Sequence, residues 1–366
     1  NLMNIIIFLI ILLVLVVAHE FGHFIVAKKS GIRVDEFAFG FKPRLFSIKR
    51  GETRYSFNAL PIGGYVSIYG ENPDEESTSG PDSSRSFVNK PAYIKAAVMF
   101  AGVAMNFLVA WLLLSVGFMS GMPTSVGLEP KGSVLQNQAL TITSVVAGSP
   151  AEKAGLKTTD KILLLKSGTD MTETPSAESV RYFVRKHSTD VITVNFVRNS
   201  ENMETTLTPA PGIVDGAPGI GISMDLIGTL KLPAHEALWE GLKLSGNIFV
   251  GTVKGFYKLI HDGITGEGSL SGVSGPVGIV GVVGDAAQFG FIYLLSFTAL
   301  ISINLAVINL IPFPALDGGR LLFLLIEKIK GSRIKPQIAN AINAGGFVLL
   351  MLLMVVITYN DIIKLL

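Results

Sequence analysis

The chain has 366 residues, with 30 Lys and Arg against 28 Asp and Glu, a net charge of +2 and only 16% charged residues; its mean hydropathy is +0.51. That is too apolar for an ordinary soluble protein and too polar for a chain lying wholly in a membrane, so several spanning helices plus a soluble insert are expected. No Lys/Arg cluster is interleaved with aromatic residues, which argues against a nucleic-acid surface, and the absence of Cys excludes disulfides and thiolate metal ligands.

The first apolar run, about residues 3–27, is long enough to cross a bilayer. It has no basic n-region and no Ala-x-Ala cleavage site, so a retained anchor is expected rather than a removed signal peptide. Inside it stands His19-Glu20-Phe21-Gly22-His23. On a helix the two His lie four residues apart on one face and can reach a single metal ion, with Glu20 beside them to act on water at that metal. Ile5 to Ala18 carry no charge, so these groups lie at membrane depth, where ionisable side chains are costly and mark function. Residues 1–27 contain no Lys or Arg. Lys28, Lys29, Arg33, Lys42, Arg44, Lys49, Arg50, Arg54, Arg85 and Lys90 follow. The positive-inside rule then puts the N-terminus outside, this loop in the cytoplasm and the metal motif towards the cytoplasmic end of its helix.

Within the loop, Gly51 to Gly70 reads as a hairpin, with Pro61, Gly63 and Gly64 as the turn and Tyr65-Val66-Ser67-Ile68-Tyr69 as the second strand. Such a hairpin either offers an edge to an extended peptide or is structural only. Residues 71–86, acidic and rich in Ser, Pro and Gly, read as a mobile linker. A second span is expected from about Ile94 to Phe118. Its one strongly polar interior residue, Asn106, is expected to bond a neighbouring helix.

Residues 124–230 form the soluble insert. A strand over Leu140 to Val146 is followed by Ser149-Pro150-Ala151-Glu152-Lys153-Ala154-Gly155-Leu156, a short helix with an N-cap Ser, Pro in its first turn and Gly after its last. Further elements are a strand over Lys161 to Leu165, a helix over Ala177 to Lys186, a strand over Val191 to Arg198 and another at Thr205 to Thr208. This order, with Ser-Pro-Ala-x-x-Ala-Gly-Leu ahead of Asp160, resembles a PDZ domain. The resemblance implies binding of an extended peptide or chain end by strand addition; the alternative is a domain that only caps the active site sterically.

Residues 233–262 repeat Leu238, Leu242, Phe249, Val253, Phe256 and Ile260 at helical spacing, and Trp239 and Tyr257 suit a membrane interface. A glycine-rich turn is expected over Ser274 to Ile279. A third span from near Phe289 runs into Asn309-Leu310-Ile311-Pro312-Phe313-Pro314-Ala315-Leu316-Asp317-Gly318-Gly319-Arg320. Two prolines and two glycines break a helix there, which is tolerated at membrane depth only inside protein or beside a wet cavity. Asp317 is the only carboxylate from Phe289 to Leu325 and is the candidate third ligand. Lys328, Lys330, Arg333 and Lys335 mark a second basic segment, and a last span covers about Ile342 to Thr358. His187, His235 and His261 read as ordinary surface residues.

HExxH in the first span, Asn-x-x-Pro-x-Pro-x-Leu-Asp-Gly-Gly in the third and a PDZ-like insert between spans two and three together resemble the site-2 protease family of intramembrane zinc metalloproteases, and most of all its bacterial regulator of sigma-E protease group. The resemblance covers essentially the whole chain. It implies Zn²⁺ bound by His19, His23 and Asp317, with Glu20 as catalytic base. It implies Asn309 beside the reacting groups, holding the substrate strand or the tetrahedral oxygen, and a substrate-contacting hairpin, for which Gly64, Tyr65 and Val66 are the candidates. The best-known members carry two PDZ domains in tandem; this chain has room for one.

The expected fold is therefore a polytopic α-helical membrane protein of four transmembrane helices, with a membrane-associated β-hairpin and an inserted extracytoplasmic α+β PDZ domain. Its expected parts are residues 1–123 (spans one and two with the hairpin loop), 124–230 (PDZ domain), 231–288 (interfacial amphipathic helix and Gly-rich loop) and 289–366 (spans three and four). The expected activity is cleavage of transmembrane segments of single-pass proteins, such as anti-sigma factors or remnant signal peptides. The expected location is a bacterial inner membrane, with both termini and the PDZ domain outside the cytoplasm. Expected partners are transmembrane substrates, lipid and a peptide or chain end at the PDZ groove, and no nucleic acid. A non-proteolytic PDZ receptor or scaffold and a metal transporter are the alternatives.

Overall fold

The computed structural model describes residues 2–72, 74–172, 175–214, 217–266 and 274–365. Two compact units emerge: Asn1–Val116 with Leu238–Leu366, and Gly117–Ala237 between them.

Helix α1 (Leu2–Lys29) has 28 residues, ~42 Å at 1.5 Å per residue and so more than a hydrocarbon core needs. It is apolar all round, so packing rather than amphipathicity picks its inner face. Ile11, Leu15, His19, Gly22, His23 and Ala27 are the buried positions, a stripe at three- and four-residue spacing. Strands β1 (Val34–Arg50) and β2 (Thr53–Ile68) follow, antiparallel, and turn at Gly51 (φ +64°) and Glu52. The expected turn at Pro61 to Gly64 instead lies inside β2. There β2 folds back, so that residues 34–39 pair with 54–57 on one side and with 64–68 on the other. The hairpin thereby becomes a small curled sheet with 64–68 at its edge.

The stretch expected to be a mobile linker is folded. Helix α2 (Glu75–Ser79) starts with a capping box in which the Asp74 carboxylate accepts from Ser77 N–H at 2.7 Å, a device that stabilises a helix by about 1 kcal/mol. Arg33 pairs with Asp35 and Asp82 at 2.7 and 2.8 Å and stacks over Tyr69. Arg85 and Lys28 hold the Glu52 carboxyl down to about 2. Composition suggested disorder because these residues bury little apolar surface; ion pairs and caps order them instead.

Helix α3 (Ala92–Ser120) leads into β3 (Met122–Ser125) and the second unit. There β4 (Gln136–Val145), α4 (Pro150–Lys153), β5 (Lys161–Ser167), β6 (Asp170–Met171), α5 (Ala177–Lys186), β7 (Ile192–Arg198) and β8 (Glu201–Leu207) appear in the order the sequence implied for a PDZ domain. Ser149 caps α4 and Ser176 caps α5. Two short strands, β9 (Ala210–Val214) and β10 (Ala217–Gly219), pair with each other, and β11 (Ile222–Leu230) enters the main sheet, whose order is β3-β11-β4-β5-β7-β8 with β6 on β5. Val180, Phe183 and Val184 from α5 close the core over Ile142, Leu165, Ile192, Val194 and Phe196. Asp160 is fully buried and is held by Arg198 at 2.7 and 2.6 Å, the pairing a buried carboxylate requires. His187 is not an ordinary surface residue: it bridges Asp170 at 2.9 Å and Asp190 at 2.8 Å. Those two carboxylates favour its charged form and raise its pKa.

Helix α6 (Ala234–Thr265) returns the chain to the first unit and runs antiparallel to α3. Trp111 Nε1 donates to the Leu238 carbonyl at 2.8 Å, Phe107 meets Phe249 edge-on, and Thr252 donates to Asn304 at 3.2 Å. The glycine-rich stretch expected to be a turn begins α7 (Pro276–Phe289), with Pro276 in its first turn and Asp361 accepting from Gly278 N–H at 2.8 Å. Pro is suited to a first helical turn because its missing N–H would have no partner there. Then come α8 (Phe291–Leu310), α9 (Asp317–Lys330) and α10 (Pro336–Leu365). Among the described residues α1, α3, α8 and α10 are long and apolar enough to cross a membrane.

Candidate metal centre

The centre is built from two elements nearly three hundred residues apart. Helix α1 turns both imidazoles of its HExxH inward: His19 is 7% and His23 5% exposed. The break after α8 supplies the third group. Its chain passes Pro312, Phe313 and Pro314, takes Ala315 through φ +74°, and starts α9 at Asp317. The two glycines that follow are required by space. A Cβ on Gly318 would lie 2.2 Å from the Ile311 carbonyl oxygen, and one on Gly319 would lie 2.2 Å from that of Phe313. Helix α10 steadies the same loop, because Asn343 accepts from Ala315 N–H at 3.2 Å and Gly346 lets Pro314 approach.

The result is a triangle of donor atoms. His19 Nε2 is 3.0 Å and His23 Nε2 3.3 Å from Asp317 Oδ2, and the two Nε2 atoms are 3.1 Å apart. A tetrahedral zinc with bonds of about 2.0–2.1 Å spaces its ligands roughly 3.3 Å apart, so the set matches the size and the N, N, O chemistry of a three-ligand site with one open position. His23 Nδ1 donates to the Val98 carbonyl at 2.7 Å. That bond places the ring proton on Nδ1 and leaves the Nε2 lone pair facing the triangle. Among the described residues no other His, Asp and Glu group is so arranged.

Glu20 sits next to the triangle without joining it. Its Oε2 accepts from Val66 N–H, on the edge strand of the curled sheet, at 2.9 Å. A cavity of about 210 Å³ opens over these groups, lined by His19, Glu20, Asn106, Asn309, Ala315 and Asp317, among others. Asn309, on the last turn of α8, thus lines the same cavity as His19, Glu20 and Asp317. Of the three hairpin residues singled out from sequence, Val66 reaches Glu20, Gly64 packs near Val17 of α1, and the Tyr65 hydroxyl bonds Glu36. None of the three lines the cavity.

Sequence reasoning gave no site role to α3, yet one stripe of it faces both imidazoles. Val98 bonds His23, Gly102 leaves no room for a Cβ against either ring, and the Asn106 amide lies 3.4 Å from His19 Nδ1. The helix that Asn106 bonds is the one that carries the His pair. The signal was present in the spacing, since Gly102 and Asn106 stand four residues apart in the apolar run between Ala96 and Leu114.

The model of peptidase family M50 matches residues 7–353. A relative in Clostridium acetobutylicum is 34% identical, covering 98% of this chain and 97% of its own length. One in Fusobacterium nucleatum is 35% identical over 99% of both chains. Zinc metalloprotease RasP of Shouchella clausii is 32% identical over 98% of both.

Proposed function

From the membership of this chain in peptidase family M50, we propose that it is an intramembrane zinc metalloprotease that cuts transmembrane segments of single-pass membrane proteins, with His19, His23 and Asp317 as ligands and Glu20 as base. One observation carries the assignment of residues: three donors from sequence-distant elements meet within 3.3 Å, beside a carboxylate that stays outside their triangle.

Zinc held there supplies Lewis acidity, making water a better nucleophile and a carbonyl a better electrophile. Glu20 takes the proton from the attacking water and returns it to the leaving amine. The bond from Val66 N–H to Oε2 fixes the carboxylate while leaving Oε1 for the proton. A helical substrate hides its carbonyls in backbone hydrogen bonds, so it must unwind before attack. The edge strand 64–68 and the Asn309 amide are the groups that hold the unwound segment. Water reaches the site from the cytoplasmic side around Pro312 to Gly319.

The protein is multi-pass; its bacterial relatives and the basic loops after α1 and α9 support a topology in the bacterial inner membrane with both termini and the PDZ-like unit outside the cytoplasm. Anti-sigma factors and remnant signal peptides are the substrates the family resemblance favours, and the PDZ-like unit takes a peptide or chain end. The test is cleavage of a single-span substrate by the purified full-length protein in detergent. Cleavage should stop on treatment with 1,10-phenanthroline and return on adding zinc. Cleavage that survives complete removal of the metal would refute the reading.

A further inference from the structure

His19 has two ring nitrogens, and only one of them faces the triangle. Nε2 lies 3.1 Å from His23 Nε2 and 3.0 Å from Asp317 Oδ2. Nδ1 points into α3, where Asn106 Nδ2 is 3.4 Å away. Asn106 is fully buried, and its Oδ1 has no hydrogen-bond partner among the described residues. Leaving a buried amide oxygen without a donor forfeits its solvation with nothing in return, so this atom calls for an explanation. Its backbone is fixed independently of the amide, because Ser302 of α8 donates to the Asn106 carbonyl at 2.8 Å.

The imidazole supplies the explanation. With the ring proton on Nε2, His19 donates to Asp317 and Nδ1 accepts from Asn106 Nδ2–H. With the proton on Nδ1, Nε2 becomes a free lone pair and Nδ1–H needs an acceptor. A half-turn of the Asn106 amide about its terminal torsion then presents Oδ1 to it. A primary amide, with a donor and an acceptor on one flat group, suits both tautomers. His23 differs: its Nδ1 faces the Val98 carbonyl, which can only accept. One imidazole of the pair is thus locked by backbone, and the other is governed by a side chain that can turn over.

We propose that Asn106 is a positioning residue for the metal centre: its amide oxygen accepts Nδ1–H of His19 and so holds the tautomer in which Nε2 binds the metal. The proposal rests on reading His19 as a ligand. Outer partners of ligating imidazoles set ring orientation and basicity, and their loss costs about 10–100-fold in metal affinity.

The test measures zinc affinity by chelator competition on the full-length protein in detergent, for wild type, Asn106→Leu and Asn106→Asp. Leu keeps the size and removes the oxygen; Asp keeps the oxygen and removes the donor. The expected result is a loss of about 10–100-fold for Asn106→Leu and wild-type affinity for Asn106→Asp. The visible spectrum of the cobalt-substituted protein should change in the first variant only. Equal affinity in wild type and Asn106→Leu overturns the proposal, as does an equal loss in both variants, which would mark a packing role. If wild type itself holds no zinc, the reading of His19 as ligand fails first, and the two failures are told apart. A measurement on wild type alone covers the case in which Asn106→Leu does not fold. In the zinc-loaded protein the His19 Nδ1 proton should be visible by NMR and slow to exchange; a fast-exchanging proton would show that Asn106 does not hold it.

Discussion

Changing Glu20 to Gln is expected to lower cleavage by about 10²–10⁴-fold while leaving the zinc content at its wild-type level. The substitution is almost isosteric, and a Gln carbonyl still accepts from Val66 N–H, where Glu20 now accepts at 2.9 Å. What is lost is the capacity to take and return a proton. The ligand triangle does not include Glu20, so its 3.0–3.3 Å edges have no reason to change. Turnover of a single-span substrate and metal analysis on the same sample check both halves. Turnover within a few-fold of wild type would remove Glu20 from the chemistry, and loss of zinc would make it a ligand.

A side chain at Gly102 is expected to disable the centre from behind. A Cβ there would lie 2.5 Å from His23 Nε2 and 2.6 Å from His19 Cε1, distances real contacts do not reach. Either the imidazoles turn away from Asp317 or α3 backs off from α1. Backing off is resisted at the adjoining residues, where Gly22 lies so close to α3 that a Cβ on it would meet the Ala101 carbonyl oxygen at 2.3 Å. Gly102→Val should therefore weaken zinc binding by about 100-fold or more, beyond the cost of losing an outer partner. It should also cost about 1–3 kcal/mol of stability through overpacking. Gly246→Ala in α6, where an added Cβ meets nothing within 4 Å, is the matched control and should bind zinc as wild type does. Chelator competition and thermal unfolding of the two variants check this. A Gly102→Val protein with unimpaired zinc affinity would show that α3 does not set the imidazoles.

The chemistry of the centre was more legible in the sequence than its surroundings. His19, Glu20, His23 and Asp317 stand out because ionisable groups at membrane depth have few cheap explanations. Asn106 was visible as a polar amide inside an apolar span, but which helix it bonds is a matter of packing that one sequence does not carry. The hairpin turn was misplaced because Pro61, Gly63 and Gly64 outweigh Gly51 and Glu52 as turn formers. In the structure Gly63 and Gly64 mark where β2 folds back and approaches α1. The ordering of residues 74–86 depends on Arg33 meeting Asp82 and on Glu52 meeting Arg85, pairs 49 and 33 residues apart that no local pattern announces. Strand β11 was missed because Leu226-Ile227 breaks the apolar alternation by which a strand is recognised. His187 looked like a surface residue because one of its two carboxylate partners, Asp170, lies 17 residues away and meets it only in the folded chain, while Asp190 three residues on gave no sign by itself.

The joining of Asp317 to a His pair 298 residues away is the claim on which the rest depends. Zinc analysis of the full-length protein, wild type beside Asp317→Asn, tests it most directly. The expected result is about one zinc per chain in wild type and its loss from Asp317→Asn after brief dialysis against a chelator that leaves wild type loaded. Equal zinc retention in the two proteins, or none in wild type, would contradict the account.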